Sequence, residues 1–160
     1  MNEPEKVIVQ VKRRLTAPRE RVFDAWLDPA TLGLWMFGRV ANESVLHTRT
    51  DMRVGGRFSF LVRRGDQEID HVGTYLEIDR PRRLVFTWAA IDAGSKDDAD
   101  ESSSRVTIEF AAANDGCEVT LTHEMAPAWK DFAERTQHGW TTILDALAAA
   151  FDSNRIPTSR

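Results

Sequence analysis

The sequence predicts an α+β protein in which a curved antiparallel sheet of about seven strands wraps around one long C-terminal helix, with two short helices after the first strand. Three observations predict it. Segments with Phe, Trp and Val at alternate positions recur between Ser44 and His123, separated by turn residues at hairpin spacing. Gly55-Gly56 falls where a bulge would bend such a sheet. From Trp129 to Phe151 the apolar period changes to that of a helix, with one continuous stripe. One apolar face per strand means the sheet is covered on one side only, and the long helix is the natural cover. This layout encloses a hollow as readily as it makes a solid core.

Each element follows in order. Val7, Val9 and Val11 alternate with Ile8, Gln10 and Lys12 in a first strand. Thr16 is the expected N-cap of a helix whose first turn holds Pro18, where the missing N–H does no harm. Val22, Phe23, Trp26 and Leu27 continue it at helical spacing until Asp28-Pro29, and a short second helix covers Ala30 to Trp35. Ser44 to Met52 is the second strand, and Phe58, Phe60 and Val62 mark the third, which turns at Arg64-Gly65-Asp66. Ile69 to Ile78 is the fourth, with Gly73 where another backbone approaches closely. Its more apolar parity is Val72, Leu76 and Ile78, which directs His71 and Tyr75 toward solvent. In the second strand, Leu46 and Met52 compete with His47, Arg49 and Asp51 for the inner face.

Asp79-Arg80-Pro81-Arg82 turns the chain into a fifth strand with Leu84, Phe86 and Trp88 on one side. Ala93 to Ser103, acid-rich with Asp97, Asp98, Asp100 and Glu101 against Lys96, reads as a long mobile hairpin loop. Val106, Ile108 and Phe110 alternate in the sixth strand. Asn114-Asp115-Gly116 is a strong turn, and Cys117, Val119, Leu121 and His123 share one face of the seventh. The last helix begins near Pro127. Its stripe is Trp129, Phe132, Ala133, Thr136, Trp140, Ile143, Leu144, Leu147 and Phe151, with Asp131, Glu134, Arg135, His138 and Asp145 outside it. Residues 152–160 read as a frayed tail. With 160 residues and no internal repeat, one domain with its core over residues 7–151 is expected.

Composition narrows the function. A net charge of -4 argues against nucleic acid as a partner, since neutralising phosphates needs a basic surface. The single cysteine, Cys117, cannot form an internal disulfide and reads as a small buried apolar residue, which fits a reducing compartment. No run approaches the roughly 20 apolar residues of a membrane span. The polar start Met1-Asn2-Glu3-Pro4-Glu5-Lys6 is no signal peptide, so a cytoplasmic protein without membrane insertion is expected. No cofactor or metal is expected, because His, Cys and acidic residues lack ligand spacing and no phosphate-binding glycine loop occurs. Gly-x-Ser-x-Gly is also absent, and no catalytic residue is assigned.

The aromatic residues Trp26, Trp35, Phe58, Phe60, Tyr75, Trp88, Phe110, Trp129, Phe132 and Trp140 are either core packing or the wall of an apolar cavity. Five tryptophans in one small domain favour a wall, because flat rigid rings leave gaps more readily than Leu or Ile. Leu121 and Leu144 belong to the same inner surface. Trp35 and Met36, at the second short helix, are candidates to gate its mouth. His123 lies on the apolar parity of its strand, either as a core histidine or as a polar handle for a ligand. In both cases it needs a partner and favours the neutral form. His71 and Tyr75 are further polar handles if their parity faces inward.

Four stretches together resemble a known family. They are Leu15-Thr16-Ala17-Pro18-Arg19-Glu20-Arg21-Val22-Phe23-Asp24-Ala25-Trp26, the segment Asp51 to Phe58 around Val54-Gly55-Gly56, the segment Gly73 to Trp88, and Gly139-Trp140 with its following helix. The chain resembles START-like (SRPBCC) domains over about residues 7–151, and within them the Hsp90 ATPase activator homologue 1-like group. The resemblance implies a helix-grip fold with a deep cavity between sheet and long helix, and a lipid-like, aromatic or polyketide-like ligand. Some members of the superfamily are cyclases or hydrolases, so catalysis in the same cavity is an alternative. The eukaryotic namesake stimulates a chaperone ATPase with the help of an additional N-terminal domain that this chain is too short to include. A chaperone contact is therefore a weaker expectation than a small hydrophobic molecule, and a homodimer is a further expectation because small domains of this type often expose an apolar patch.

Overall fold

The computed structural model describes residues 6–36, 43–92 and 104–152. The chain runs through β1 (Val7–Leu15), α1 (Arg19–Leu27), α2 (Pro29–Trp35), β2 (Glu43–Thr50), β3 (Arg57–Arg64), β4 (Gln67–Asp79), β5 (Arg83–Thr87), β6 (Ala89–Asp92), β7 (Arg105–Ala113) and β8 (Gly116–Met125). A 3-10 helix, Pro127–Phe132, leads into α3 (Ala133–Asp152). The eight strands form one sheet in the order β1-β8-β7-β5-β4-β3-β2, with β6 attached to β4. Every pairing is antiparallel. This is the predicted α+β helix-grip arrangement, with the two short helices after β1 and the long helix at the end.

The hairpins form at the expected signals. Gly65 adopts φ 61° in the two-residue loop between Arg64 and Gln67, and Asn114-Asp115 closes the loop between Ala113 and Gly116. Gly55, at φ 86°, occupies backbone space that side chains resist, so that Gly55 N–H bonds to the Tyr75 carbonyl at 2.8 Å and Tyr75 N–H to the Gly56 carbonyl at 2.9 Å. β4 is 13 residues long and serves two neighbours on one side. Its start pairs with β6 and its end with β5, with Trp88 at the break between them. The fifth predicted strand is therefore two short ones, each following a different part of the curved sheet.

The core lies between the concave face of the sheet and the helices. Val22, Phe23, Leu32, Trp35, Leu84, Ile108, Val119, Leu121, Leu144 and Leu147 are all buried there. α3 packs along β1 and reaches α2. Thr16 Oγ1 bonds Asp152 Oδ1 at 3.1 Å, which ties the end of α3 to the β1–α1 connection. Thr16 is thus not the expected cap: Pro18 holds the N-cap position of α1, with no side-chain hydrogen bond.

Two inner-face expectations change. In β4 the inward parity up to Tyr75 is His71, Gly73 and Tyr75, not Val72 and Leu76: Tyr75 is 2% exposed and Leu76 39%. The register shifts between Tyr75 and Glu77, and beyond it Ile78 pairs with buried Leu84 and packs on the core as expected. Phe58 pairs with Gly73 and Phe60 with His71, so these residues share the face of two buried rings. A Cβ at Gly73 would meet the Thr87 carbonyl and the Phe58 ring, which is the close approach the glycine signals. At the other end, Trp129 is 50% and Phe132 41% exposed. The helical stripe begins only at Ala133, because the preceding residues form a 3-10 helix with a tighter turn. The predicted loop over residues 93–103 and the tail beyond residue 152 lie outside the described residues.

Candidate ligand-binding site

The concave face carries a connected series of rings. Phe58 and Phe60 stack with centroids 4.8 Å apart and planes 19° apart. Phe58 also meets Tyr75 at 5.4 Å and the Phe86 ring edge-on at 5.4 Å. Trp88, freed from strand geometry at the β5–β6 break, reaches His71 at 5.4 Å and Trp140 of α3 at 5.2 Å. Trp140 in turn meets His123 of β8 at 5.9 Å and 81°. Such offset and edge-to-face contacts suit the ring quadrupoles. The predicted residues Phe58, Phe60, His71, Tyr75, Trp88, His123 and Trp140 thus form one surface spanning β3, β4, β8 and α3. Phe86 belongs to it as well and was missing from the sequence-predicted set.

His123 is fully engaged. The Trp140 indole N–H donates to His123 Nδ1 at 3.0 Å. An indole can only donate, so Nδ1 accepts and the proton of the neutral ring sits on Nε2. Nε2 then donates to Ser104 Oγ at 2.6 Å. Burial, at 4% exposure, pushes the imidazole down to about 4. Ser104 was missing from the predicted site, since only the β7–β8 pairing brings it to His123. His71 uses Nδ1–H toward the Phe60 carbonyl at 3.2 Å; burial lowers its pKa, against the opposing effect of that bond. His47 faces the other side of the sheet, where its Nε2–H donates to Ser59 Oγ at 2.9 Å and Ser59 donates to Asp70 at 2.7 Å.

A second layer faces the β3–β4 part of this surface. Thr50 Oγ1 donates to the Leu27 carbonyl at 2.9 Å and Thr48 Oγ1 to the Pro29 carbonyl at 2.8 Å. Thr48 and Thr50 pair with Phe60 and Phe58, so the α1–α2 corner docks on the same concave face. Asp28 caps α2 by accepting from Ala30 N–H at 3.0 Å. Within this corner Trp26 and Trp35 meet edge to face at 4.8 Å and 73°. Trp35 and Met36, the candidates for gating a mouth, are buried in this structure. Phe110 packs edge-on against Phe23 of α1 at 5.1 Å, and Leu121 and Leu144 fill the core around them. Trp129 and Phe132 touch each other at 5.4 Å, away from the concave face, with Arg135 over the Phe132 ring.

Three buried polar atoms have no hydrogen-bond partner among the described residues: Trp26 Nε1, Trp35 Nε1 and Tyr75 Oη. Each such group costs roughly 1–3 kcal/mol relative to a paired one. All three lie in the two layers just described. Burial also raises the Tyr75 pKa, so its hydroxyl keeps its proton across the physiological range. Cys117 is buried, and its thiol is pushed up to about 11, far from a reactive thiolate. The described residues contain no cluster of three or more His, Cys, Asp or Glu able to hold a metal ion.

The comparisons with known proteins agree with this architecture. Residues 16–152 match the family described as Activator of Hsp90 ATPase homolog 1-like protein. The chain belongs to that family. The Hsp90-activator-like fold recurs in solved structures. The chain is similar to the AHSA1-like protein of Aeromonas hydrophila, with a TM-score of 0.77, 22% identity and coverage of 96% of this chain and 98% of that one. A protein of Chromobacterium violaceum gives a TM-score of 0.70 at 28% identity, over 89% and 94% of the two chains. A protein of Nitrosomonas europaea gives 0.76 at 22% identity, over 92% and 96%. No curated protein matches the chain.

Proposed function

We propose that this Hsp90-activator-like protein is a carrier or sensor that binds a small apolar molecule between the concave face of the sheet and the helices. The observation that carries the reading is a continuous aromatic surface that includes Tyr75 and is covered by the α1–α2 corner, with three buried donors on these two layers, Tyr75, Trp26 and Trp35, lacking partners. Ligand sites are mostly apolar, with a few fixed polar groups that orient the guest. Burial of guest surface, worth about 25 cal/mol per Å², would drive binding. START-like membership supports the same reading. Residues 7–151 would act as one binding domain in the cytoplasm, where Cys117 stays reduced.

Catalysis by His123 is the alternative within the same cavity. Both ring nitrogens are already occupied, by Trp140 and Ser104, which favours binding over general-base chemistry. The exposed pair Trp129 and Phe132 favours a protein contact, either a second copy or a chaperone, as an accessory role. The test of the leading reading is thermal unfolding with tryptophan fluorescence across a panel of small hydrophobic compounds. A guest present at 100 times its Kd should stabilise the fold by about 2.7 kcal/mol. A saturating panel that moves neither the melting temperature nor the emission would refute it.

A further inference from the structure

The buried polar groups of the interior are few and of narrow type. Among the described residues, the buried polar or charged residues outside the tyrosine and tryptophans are His71 and His123. Both favour the neutral form, and Glu43, whose side chain is 5% exposed, is already paired with Arg64 and does not stand free to balance an ionic guest. The unpartnered atoms are two indole N–H groups, which can only donate, and one phenol, which donates readily. Pairing places Tyr75 on the face that carries Phe58 and Phe60, and the threonine bonds place Trp26 and Trp35 on the corner covering that face.

We infer that the guest is an uncharged molecule with an apolar body and a carbonyl-type hydrogen-bond acceptor, received by Trp26 Nε1, Trp35 Nε1 and Tyr75 Oη. The inference rests on the ligand-binding reading and adds the polar end of the guest. A carbonyl oxygen has two lone pairs and can accept from two of these donors at once. Bare hydrocarbons leave all three unpaired. A carboxylate or ammonium would have to compete with the existing Glu43–Arg64 pair for a counter-charge. Trp140 Nε1 and the two histidines are already committed to protein partners and do not take part.

The experiment titrates the intact protein with three probes: benzophenone, diphenylmethane, which has the same rings without an acceptor, and 4-benzoylbenzoate, which adds a carboxylate. Affinities come from tryptophan fluorescence, and the indole N–H signals are followed by NMR on nitrogen-15-labelled protein. Trp26→Phe and Trp35→Phe assign the two relevant signals. Benzophenone should bind at least about tenfold more tightly than diphenylmethane, equivalent to about 1.4 kcal/mol. It should move the Trp26 and Trp35 indole signals while leaving that of Trp140 in place. Tyr75→Phe removes one oxygen and should weaken benzophenone several-fold while leaving diphenylmethane unchanged. 4-Benzoylbenzoate should bind more weakly than benzophenone. Equal affinities for benzophenone and diphenylmethane would overturn the donor site while leaving the cavity in place. Tight binding of the carboxylate would overturn the requirement for an uncharged guest. If neither uncharged probe binds, both the cavity and the donor site fall.

Discussion

Tyr75→Phe should stabilise the ligand-free protein, an unusual result for a substitution at a buried position. The Tyr75 side chain is 2% exposed, and its hydroxyl has no partner among the described residues. Removing the oxygen deletes a desolvation cost of roughly 1–3 kcal/mol. The ring contacts with Phe58 at 5.4 Å and Phe86 at 6.4 Å are kept. The space left behind is one atom, so a gain of about 1 kcal/mol is expected after that loss. For a chain of this length each kcal/mol moves Tm by about 2–4 °C. Urea unfolding followed by tryptophan emission reads the same quantity as a higher midpoint at unchanged slope. Burial raises the Tyr75 pKa, so the gain should be the same at pH 6 and pH 8. A loss of 1 kcal/mol or more would show that the hydroxyl is bonded in the free protein, and the assignment of Tyr75 as a waiting donor would fail.

Other perturbations probe the surrounding structure. His123 has a folded pKa of about 4 against 6.5 in the unfolded chain, so between these values the unfolded state binds the extra proton. Its contribution is full above pH 6.5 and is lost as pH falls toward 4, by about 3 kcal/mol in all. His71, lowered in the same direction, adds to the slope. Urea midpoints at pH 7 and 4.5 should differ strongly in the native sequence and less in His123→Gln, which keeps an acceptor for Trp140; an unchanged slope would refute the assignment. Gly73→Ala should cost at least about 2 kcal/mol or prevent folding, because a Cβ there meets the Thr87 carbonyl and the Phe58 ring. Gly33→Ala, where a Cβ meets nothing within 4 Å inside α2, should gain about 0.5–1 kcal/mol, and thermal melts of the two variants should move in opposite directions.

Much of the fold was legible because it depends on periodicity and on turn chemistry, which are local. Gly65, Gly73 and Asn114-Asp115 each sit where the sequence placed a turn or a close approach. The misreadings have physical causes. Counting apolar residues failed in β4 because the inner face holds His71, Gly73 and Tyr75, whose ring bodies and missing side chain make room for Phe58. Projecting a 3.6-residue period failed before Ala133 because Pro127–Phe132 is a 3-10 helix, which turned Trp129 and Phe132 outward. The parity of His123 was readable, but its partners were not. Ser104 and Trp140 come from elements whose approach depends on strand register and helix placement. An unpaired donor leaves no trace in sequence at all, since a missing partner is a property of the packed chain.

The two buried histidines and the three unpaired donors divide the interior into parts with different work. His123 is bonded at both nitrogens and joins β8 to α3 through Trp140, so the polar atoms at that end hold the long helix on the sheet. At the other end, the α1–α2 corner is fixed to the concave face by the bonds of Thr48 and Thr50 to backbone carbonyls, while its own buried indole groups stay unpaired. A chain selected only for stability would replace Trp26, Trp35 and Tyr75 with residues carrying no buried donor. Keeping three such groups on facing layers lowers the stability of the free protein by several kcal/mol at most. The same amount becomes available to a guest that satisfies them, beyond what its apolar surface contributes. A donor deletion should therefore raise the stability of the free protein and lower its affinity for an acceptor-bearing guest. That opposition of signs distinguishes a binding site from an ordinary defect in packing.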